Sequence, residues 1–337
     1  MTLIRSSSSV FYWLKRSWSK NLLNRNLIFR VTFLLIFGLG LSQSHALLTP
    51  FGERVNESIN RGLDWLRANQ NGNGGWGRPT GLAVLCFLEK RASADWNAQP
   101  QGYQNMDPAD QELVRNGIRY CIQSIGGIEN GNAEAYDTGA CLMAMSTYKH
   151  TGGPNDVGAA VTVTQGIQNA VNSLKALQNA SGGGFGYNVG SPRADMSTTQ
   201  FAMAGLHAAE TVIPGSNNTL PNALGFINST KAGNGAHGYS SPSNNDHAMS
   251  ASGAWTYLLS GTPVEDGNVQ SALSWLQSNY TYNNQGRGGS GSSYYYYMWA
   301  SAKAFEVSIG NQVGALYSDQ IGGTLDPASV GYPEESA

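Results

Sequence analysis

The sequence predicts an all-α protein of about five helical hairpins, arranged as an inner and an outer layer of helices. Two observations predict it. A short helical pattern recurs five times at near-constant spacing, and each copy is followed by a glycine-rich turn and a second, more apolar helix. Strand signals are weak throughout.

The first segment stands apart from the repeat. Residues 1–30 carry Arg5, Lys15, Arg16, Lys20, Arg25 and Arg30 and no acid. The apolar run VTFLLIFGLGL then spans 31–41, and Ser44-His45-Ala46 is a small-x-small site. That order is a secretory signal peptide, expected to be cleaved after Ala46, with an uncleaved anchor as the alternative because the basic region is long. The run is 11 residues long, short of the roughly 20 that a spanning helix needs. The expected organisation is therefore a signal over 1–46, a repeat domain over 47–312 and a tail over 313–337, in an exported, periplasmic or extracellular protein. No stable membrane span is expected after cleavage.

Charge narrows the partners. The whole chain has 20 basic and 22 acidic side chains, and the signal removes six basic ones, leaving 14 − 22 = −8. An acidic chain without a basic stripe lacks the electrostatic footprint of a nucleic-acid binder. Cys86, Cys121 and Cys141 each sit in an apolar helical pattern and read as small buried hydrophobes. No Cys/His cluster has zinc spacing, so no metal or other cofactor is expected.

The outer helices come from the pattern of a branched apolar residue, two others, a small residue and an apolar one. It occurs at Ile59–Leu63, Val114–Ile118, Ile167–Val171, Leu220–Leu224 and Val269–Leu273, with the small residues 55, 53, 53 and 49 positions apart. Apolar residues continue at helical spacing, which predicts five amphipathic helices of about 12 to 16 residues. Trp65, Trp255 and Trp275 fall at repeat positions and are assigned to packing.

The turns follow: GNGGWG at 72–77, SIGGIENG at 124–131, SGGGFGYN at 181–188, GNGAHGYS at 233–240 and QGRGGSGS at 285–292. An aromatic residue is expected to cover the helix end in three of them: Trp76 in the first, Phe185 and Tyr187 in the third, Tyr239 in the fourth. His237, in the fourth turn, is expected to be exposed.

The inner helices are predicted from Thr80, Asp137, Asp195, Asp246 and Tyr294. They are rich in Ala, Gly and Ser, which lets helices approach closely around a central cavity. Asp137, Asp195 and Asp246 are expected N-caps, since a carboxylate accepts from free N–H groups at the positive helix end. His207, deep in a helix, is expected to be packed.

With these motifs in place, the chain resembles the prenyltransferase and squalene-oxidase repeat family over roughly residues 53–310. The matching features are the QW-like turns QNGNGGWG at 70–77 and QNASGGGFG at 178–186, and the segment Asp195-Met-Ser-Thr-Thr-Gln200-Phe201-Ala202. The resemblance implies an α/α toroid. The family's chemistry is matched less well. The D-x-D-D acid of the squalene and hopene cyclases is missing, as is the G-C-G-E-Q thioester motif of the complement-like toroids. Asp195 falls where the protein prenyltransferases begin their Asp-x-Cys zinc site, but Ser197 replaces the thiolate. His247 lies near their later histidine ligand.

The candidate site residues follow from both lines. Asp195 and His247 are the candidate catalytic pair, as an acid and a general acid/base. Asp137, Gln200, Asp246, Tyr294, Tyr297 and Trp299 are candidate ligand contacts. Four successive tyrosines at 294–297 point four ways around a helix, so one or two can face inward. The plainer role of the three aspartates is capping. The expected function is an exported toroid that binds an apolar or amphiphilic ligand, such as an isoprenoid, lipid or glycan, without the family's catalytic motifs. Two alternatives stand beside it. One is an isoprenoid- or polysaccharide-acting enzyme using Asp195 and His247. The other is an envelope protein that binds partners through its outer face.

Overall fold

The computed structural model describes residues 50–91, 100–129, 133–179, 182–279 and 291–311. The expected signal peptide (1–46), most of the fifth turn and the expected tail (313–337) fall outside these residues, as does the side chain of Tyr294. The described residues contain α-helices and isolated bridges but no named strand. The all-α reading holds.

Helices alternate as the repeat requires. The outer set is α1 (Pro50–Ala68), α3 (Pro108–Ser124), α6 (Val163–Leu177), α8 (Leu224–Ser229) and α10 (Gly267–Ser278). The inner set is α2 (Thr80–Glu89), α5 (Ala135–His150), α7 (Met196–Ala209), α9 (His247–Leu259) and α11 (Gly291–Asn311). A four-residue helix, α4 (Gly126–Glu129), occupies the second turn. Among the described residues, no helix is long and apolar enough to cross a membrane.

Helix α6 shows why the outer elements form. Thr162 caps it, accepting from Gln165 N at 3.3 Å. Ile167, Ala170, Val171, Leu174 and Leu177 are buried along one stripe, while Gln165, Gln168 and Asn172 lie on the polar side. That stripe, rather than intrinsic propensity, supplies most of the helix's stability. The fourth outer helix departs from expectation. Its repeat pattern forms a 3-10 turn, Leu220–Ala223, and only six α-helical residues follow. Pro221 lacks an N–H, and the Phe226 N–H is drawn to Gly182 O at 2.7 Å.

The inner helices pack in the order α2, α5, α7, α9, α11. Helices α7 and α9 are buried on nearly every face. Glycine permits this closeness. A Cβ on Gly81 would stand 2.5 Å from the Ala140 carbonyl carbon, and one on Gly139 would stand 2.4 Å from Phe201 O. The last inner helix reaches back to the first. Lys303 Nζ donates to both Glu89 oxygens at 2.8 Å, and Arg91 pairs with Glu306 at 3.3 Å.

The first and third turns are fastened to the next outer repeat by a glutamine. Gln70 Nε2 donates to Gly74 O in its own turn (2.8 Å) and to Leu113 O in α3 (2.9 Å). Gln178 repeats the arrangement with Gly183 O (2.8 Å) and Thr219 O (3.0 Å). Gln178→Leu strands the Gly183 carbonyl and takes one of two donors from Thr219 O, which keeps the Asn222 N–H at 3.1 Å, and is expected to destabilise the protein by about 1–2 kcal/mol in urea denaturation. An unchanged midpoint would mean that the glutamine fastening is not a stabilising contact.

Four placements differ from the sequence reading. Trp65 is 62% exposed rather than packed, whereas Trp255 is buried and Trp275 half-buried. Helix α1 has no preceding repeat among the described residues to receive it. Cys86 is exposed, while Cys121 and Cys141 are buried and all three are free thiols. His207 lies on an exposed face near the end of α7. His237 is fully buried. The turns align as GNGGWG, SGGGFG and GNGAHG, so His237 occupies the slot of Trp76 and Phe185. Tyr239, expected to cover that helix end, stands two residues later.

Candidate functional site

The starts of three inner helices, α2, α7 and α9, are built by a shared device. The backbone N–H of Trp76 donates to Thr80 Oγ1 (2.8 Å), that of Phe185 to Thr199 Oγ1 (3.0 Å), and that of His237 to Ser250 Oγ (3.0 Å). These hydroxyls fix the register of the inner helices. Asp195 and Asp246 are the N-caps, accepting from Thr198 N (2.9 Å) and Met249 N (2.7 Å).

In that register, Glu134 and not Asp137 stands at the N-cap position of α5. The expected capping role of Asp137 is therefore corrected by three residues. Asp137 lies inside the first turn, and Arg78 Nε reaches its carboxylate at 2.9 Å while also pairing with Glu134. Burial raises the Asp137 pKa, and Arg78 opposes the rise. These three residues, with Ser124, Ile125 and Gly126, line a recess of about 360 Å³.

The main polar convergence lies around Asp195 and Ser197. Asp195 is 4% exposed and Ser197 is 3% exposed. The Ser197 hydroxyl donates to Asp195 Oδ1 at 2.6 Å. Tyr136 from α5 bonds the Ser197 hydroxyl directly. The phenols of Tyr239 and Tyr296 stand near enough to Ser197, and Tyr296 to Ser252 of α9, for those hydroxyls to moderate the rise in their pKa. Tyr187 bonds the phenol of Tyr239. Gln200 Nε2 donates to Tyr296 Oη. Gln200 is fully buried, and its Oε1 has no hydrogen-bond partner among the described residues. Burial pushes the phenols of Tyr136, Tyr239 and Tyr296 well above their ordinary pKa, and the nearby Asp195 carboxylate adds to the rise. These tyrosines stay neutral near pH 7 and act as hydroxyls, not as bases.

Aromatic rings adjoin the polar cluster. Phe201 of α7 stacks on Trp299 of α11 with centroids 4.7 Å apart. Trp255 of α9 meets Trp299 edge-on at 5.1 Å, and Tyr136 lies 5.1 Å from Phe201. Four inner helices thus contribute rings to one wall.

The sequence-derived residues do not share one place: Asp137 lines the Arg78 recess and Asp246 caps α9. Asp195, Gln200 and Trp299 meet in this site. His247 does not join them. Its Nε2 lies 2.5 Å from Asn279 O, and its ring packs on Trp275 (5.1 Å) and Tyr297 (5.6 Å). Among the described residues, no hydrogen bond or ion pair links Asp195 to His247. Tyr297 is buried, Tyr296 half-buried and Tyr295 exposed, as four directions around a helix require. Tyr294 carries its side chain outside the described residues. No group of three or more His, Cys, Asp or Glu side chains is placed to hold a metal ion among the described residues.

Ser197, Tyr136, Phe201, Tyr239, Trp255 and Tyr296 are the members of this site that sequence reasoning did not select. The signal available was the fixed offset from each N-cap: Ser197 stands two residues after Asp195, and Tyr136 two after Glu134. No protein-family model and no curated protein matches the chain.

Proposed function

We propose that the chain is an exported α/α toroid that binds a neutral amphiphilic ligand among its inner helices, without the catalytic motifs of the toroid enzymes it resembles. Two features support the ring. The inner helices pack in sequence order, and Lys303–Glu89 joins the last to the first. The ligand reading rests on one observation: Tyr136 and Asp195 bond the Ser197 hydroxyl, and Gln200 bonds Tyr296, in a buried polar cluster beside a wall of aromatic rings. Neutral donors and a carboxylate suit a hydroxylated head group, and the Phe201–Trp299–Trp255 wall suits an isoprenoid chain, a lipid chain or a sugar face. No Arg or Lys bonds to this cluster among the described residues, so an anionic diphosphate head would meet Asp195 without a cation. The separation of Asp195 from His247 gives the catalytic alternative less support.

The test is native mass spectrometry of the full chain expressed with its own leader, followed by titration with farnesol and with octyl glucoside. A bound neutral amphiphile is expected, and Ser197→Ala and Trp299→Ala should each weaken retention by about ten-fold or more. Thermal melts establish that both variants are folded. Retention unchanged in folded variants, or no binding of any probe by the parent, would overturn the proposal.

A further inference from the structure

We propose that Gln200 is the specificity-determining residue of the site around Asp195 and Ser197, and that the ligand it selects is an alcohol whose O–H donates to Gln200 Oε1. The inference rests on the ligand reading above and adds to it the direction of one hydrogen bond.

The repeat does not itself call for a glutamine at this place. Aligned on the hydroxyls of Thr80, Thr138, Thr199 and Ser250, the next residue is Gly81 in α2, Gly139 in α5, Gln200 in α7 and Ala251 in α9. In α2 and α5 that position lies against the backbone of the next inner helix. A Cβ on Gly81 would meet Ala140 and Cys141 of α5, and one on Gly139 would meet Phe201 and Ala202 of α7. The scaffold fills the slot with the smallest side chains. In α7 alone of these four helices it holds a long polar one, and that side chain is fully buried. Burying an amide is costly unless its hydrogen bonds are made. A purely structural glutamine would have both ends satisfied within the fold, as Gly183 O and Thr219 O satisfy Gln178 Nε2 at the surface of the turn.

The flow of protons decides which end of Gln200 is left over. Ser252 Oγ donates its proton to Ala248 O at 2.8 Å. Toward the neighbouring Tyr296 phenol it can therefore only accept. Tyr296 Oη in turn accepts from Gln200 Nε2. This arrangement turns the amide nitrogen to Tyr296 and leaves Oε1, which has no hydrogen-bond partner among the described residues. The nearby hydroxyls of α7 are already committed. Ser197 donates to Asp195 Oδ1 at 2.6 Å, and Thr198 donates to Phe185 O at 2.7 Å. With the Ser197 proton so placed, Tyr136 must donate to Ser197. The cluster is short of a donor, not of an acceptor. An alcohol supplies the missing proton close to one turn along α7 from Ser197. An ether, an ester or a hydrocarbon has none to give, and a ketone would set oxygen against oxygen.

The full chain expressed with its own leader is titrated in native mass spectrometry with two sets of probes. Farnesol is compared with its methyl ether, which is larger, and with farnesene, which is smaller. Octyl glucoside is compared with its fully methylated form. In whichever set the parent binds, the free alcohol should bind about ten-fold or more tighter than its partners. Gln200→Met keeps the size of the side chain, and Gln200→Ala copies the alanine at the aligned position of α9. In each the preference should fall to about one, with thermal melts showing a folded protein. Equal binding of alcohol and ether by the parent would mean that Oε1 takes a buried water. That result would overturn this inference and leave the ligand reading standing. So would a preference for the alcohol that persists in the folded variants. A parent that binds no probe of either set would overturn the ligand reading, and this inference with it.

Discussion

Acidification from pH 7 to pH 4 is expected to remove about 3 kcal/mol of stability through one side chain, His237. The imidazole is fully buried in the fourth turn, its edge against Gly253 and its ring 5.5 Å from Tyr257. Thr230 Oγ1 lies 3.0 Å from Nδ1 and donates its own proton to Ile227 O at 2.8 Å. It must therefore accept from Nδ1–H. That fixes the neutral tautomer and leaves Nε2 as a bare lone pair, with no partner among the described residues. A proton on Nε2 would place an unpaired charge in the core. Burial, aided by the positive charge of Lys231, lowers the pKa from 6.5 to about 3. The unfolded chain then takes up the proton first as pH falls. The stabilisation is complete above about pH 6.5 and drains away toward pH 3. Urea denaturation at pH 7 and pH 4 measures the loss. His237→Phe, which copies the ring of Phe185 in the equivalent slot, should remove that part of the pH dependence and keep the protein folded at pH 4. The same difference between the two pH values in parent and variant would assign the acid sensitivity to other groups.

Gly139→Ala should be the most damaging of the single-methyl additions in the inner layer, costing roughly 3 kcal/mol or more. The new Cβ would stand 2.4 Å from Phe201 O and 2.7 Å from its carbonyl carbon. Those are backbone atoms of a buried helix and cannot rotate aside. Gly205 faces Gly139 from the other side, its own Cβ position 2.9 Å from Gly139 O. The backbones of α5 and α7 touch there, and a methyl group would push them apart along their length. Gly62→Ala is the matched control. It adds the same methyl in open space on α1 and should stabilise by up to about 1 kcal/mol through helix propensity. Thermal melts of the two variants separate these outcomes, and equal shifts would remove the close-approach argument.

The outer layer was legible because its signal is periodic. Ile167, Ala170, Val171 and Leu174 announce both a helix and its buried face, and the same stripe marks α3 and α10. It misled in the fourth repeat, where Pro221 allowed the pattern but not the α-helix. The inner register was read by acid type. Asp137 was matched to Asp195 and Asp246, although Glu134 stands at the aligned N-cap. The better signal was the hydroxyl at Thr80, Thr199 and Ser250, a residue type too common to stand out before its partners are known. His237 was hidden by chemistry. A histidine in a glycine turn suggests solvent, and only the alignment of GNGAHG with GNGGWG reveals an aromatic slot. The candidate site was legible in fragments. Asp195, Gln200 and Trp299 were found one by one, but Ser197 gains its meaning from Tyr136, Tyr239 and Tyr296, which come from separate hairpins. The pairing of His247 with Asp195 rests on the resemblance to two prenyltransferase ligand positions, and in this chain those positions stand at the starts of different inner helices with no bond between them among the described residues.

The joint between Lys303 and Glu89 spans 214 residues of sequence, whereas the joints between turns and outer helices span about 40. Hairpins can therefore be added one by one as the chain leaves the ribosome, each docking on the neighbour already made. Glu89 waits through the synthesis of four more hairpins before its cation exists. The contact with the greatest chain separation is also ionic, so added salt should slow the last stage of folding more than the first. Until α11 emerges, the growing array keeps one open edge, and that nascent edge is the surface a chaperone would meet.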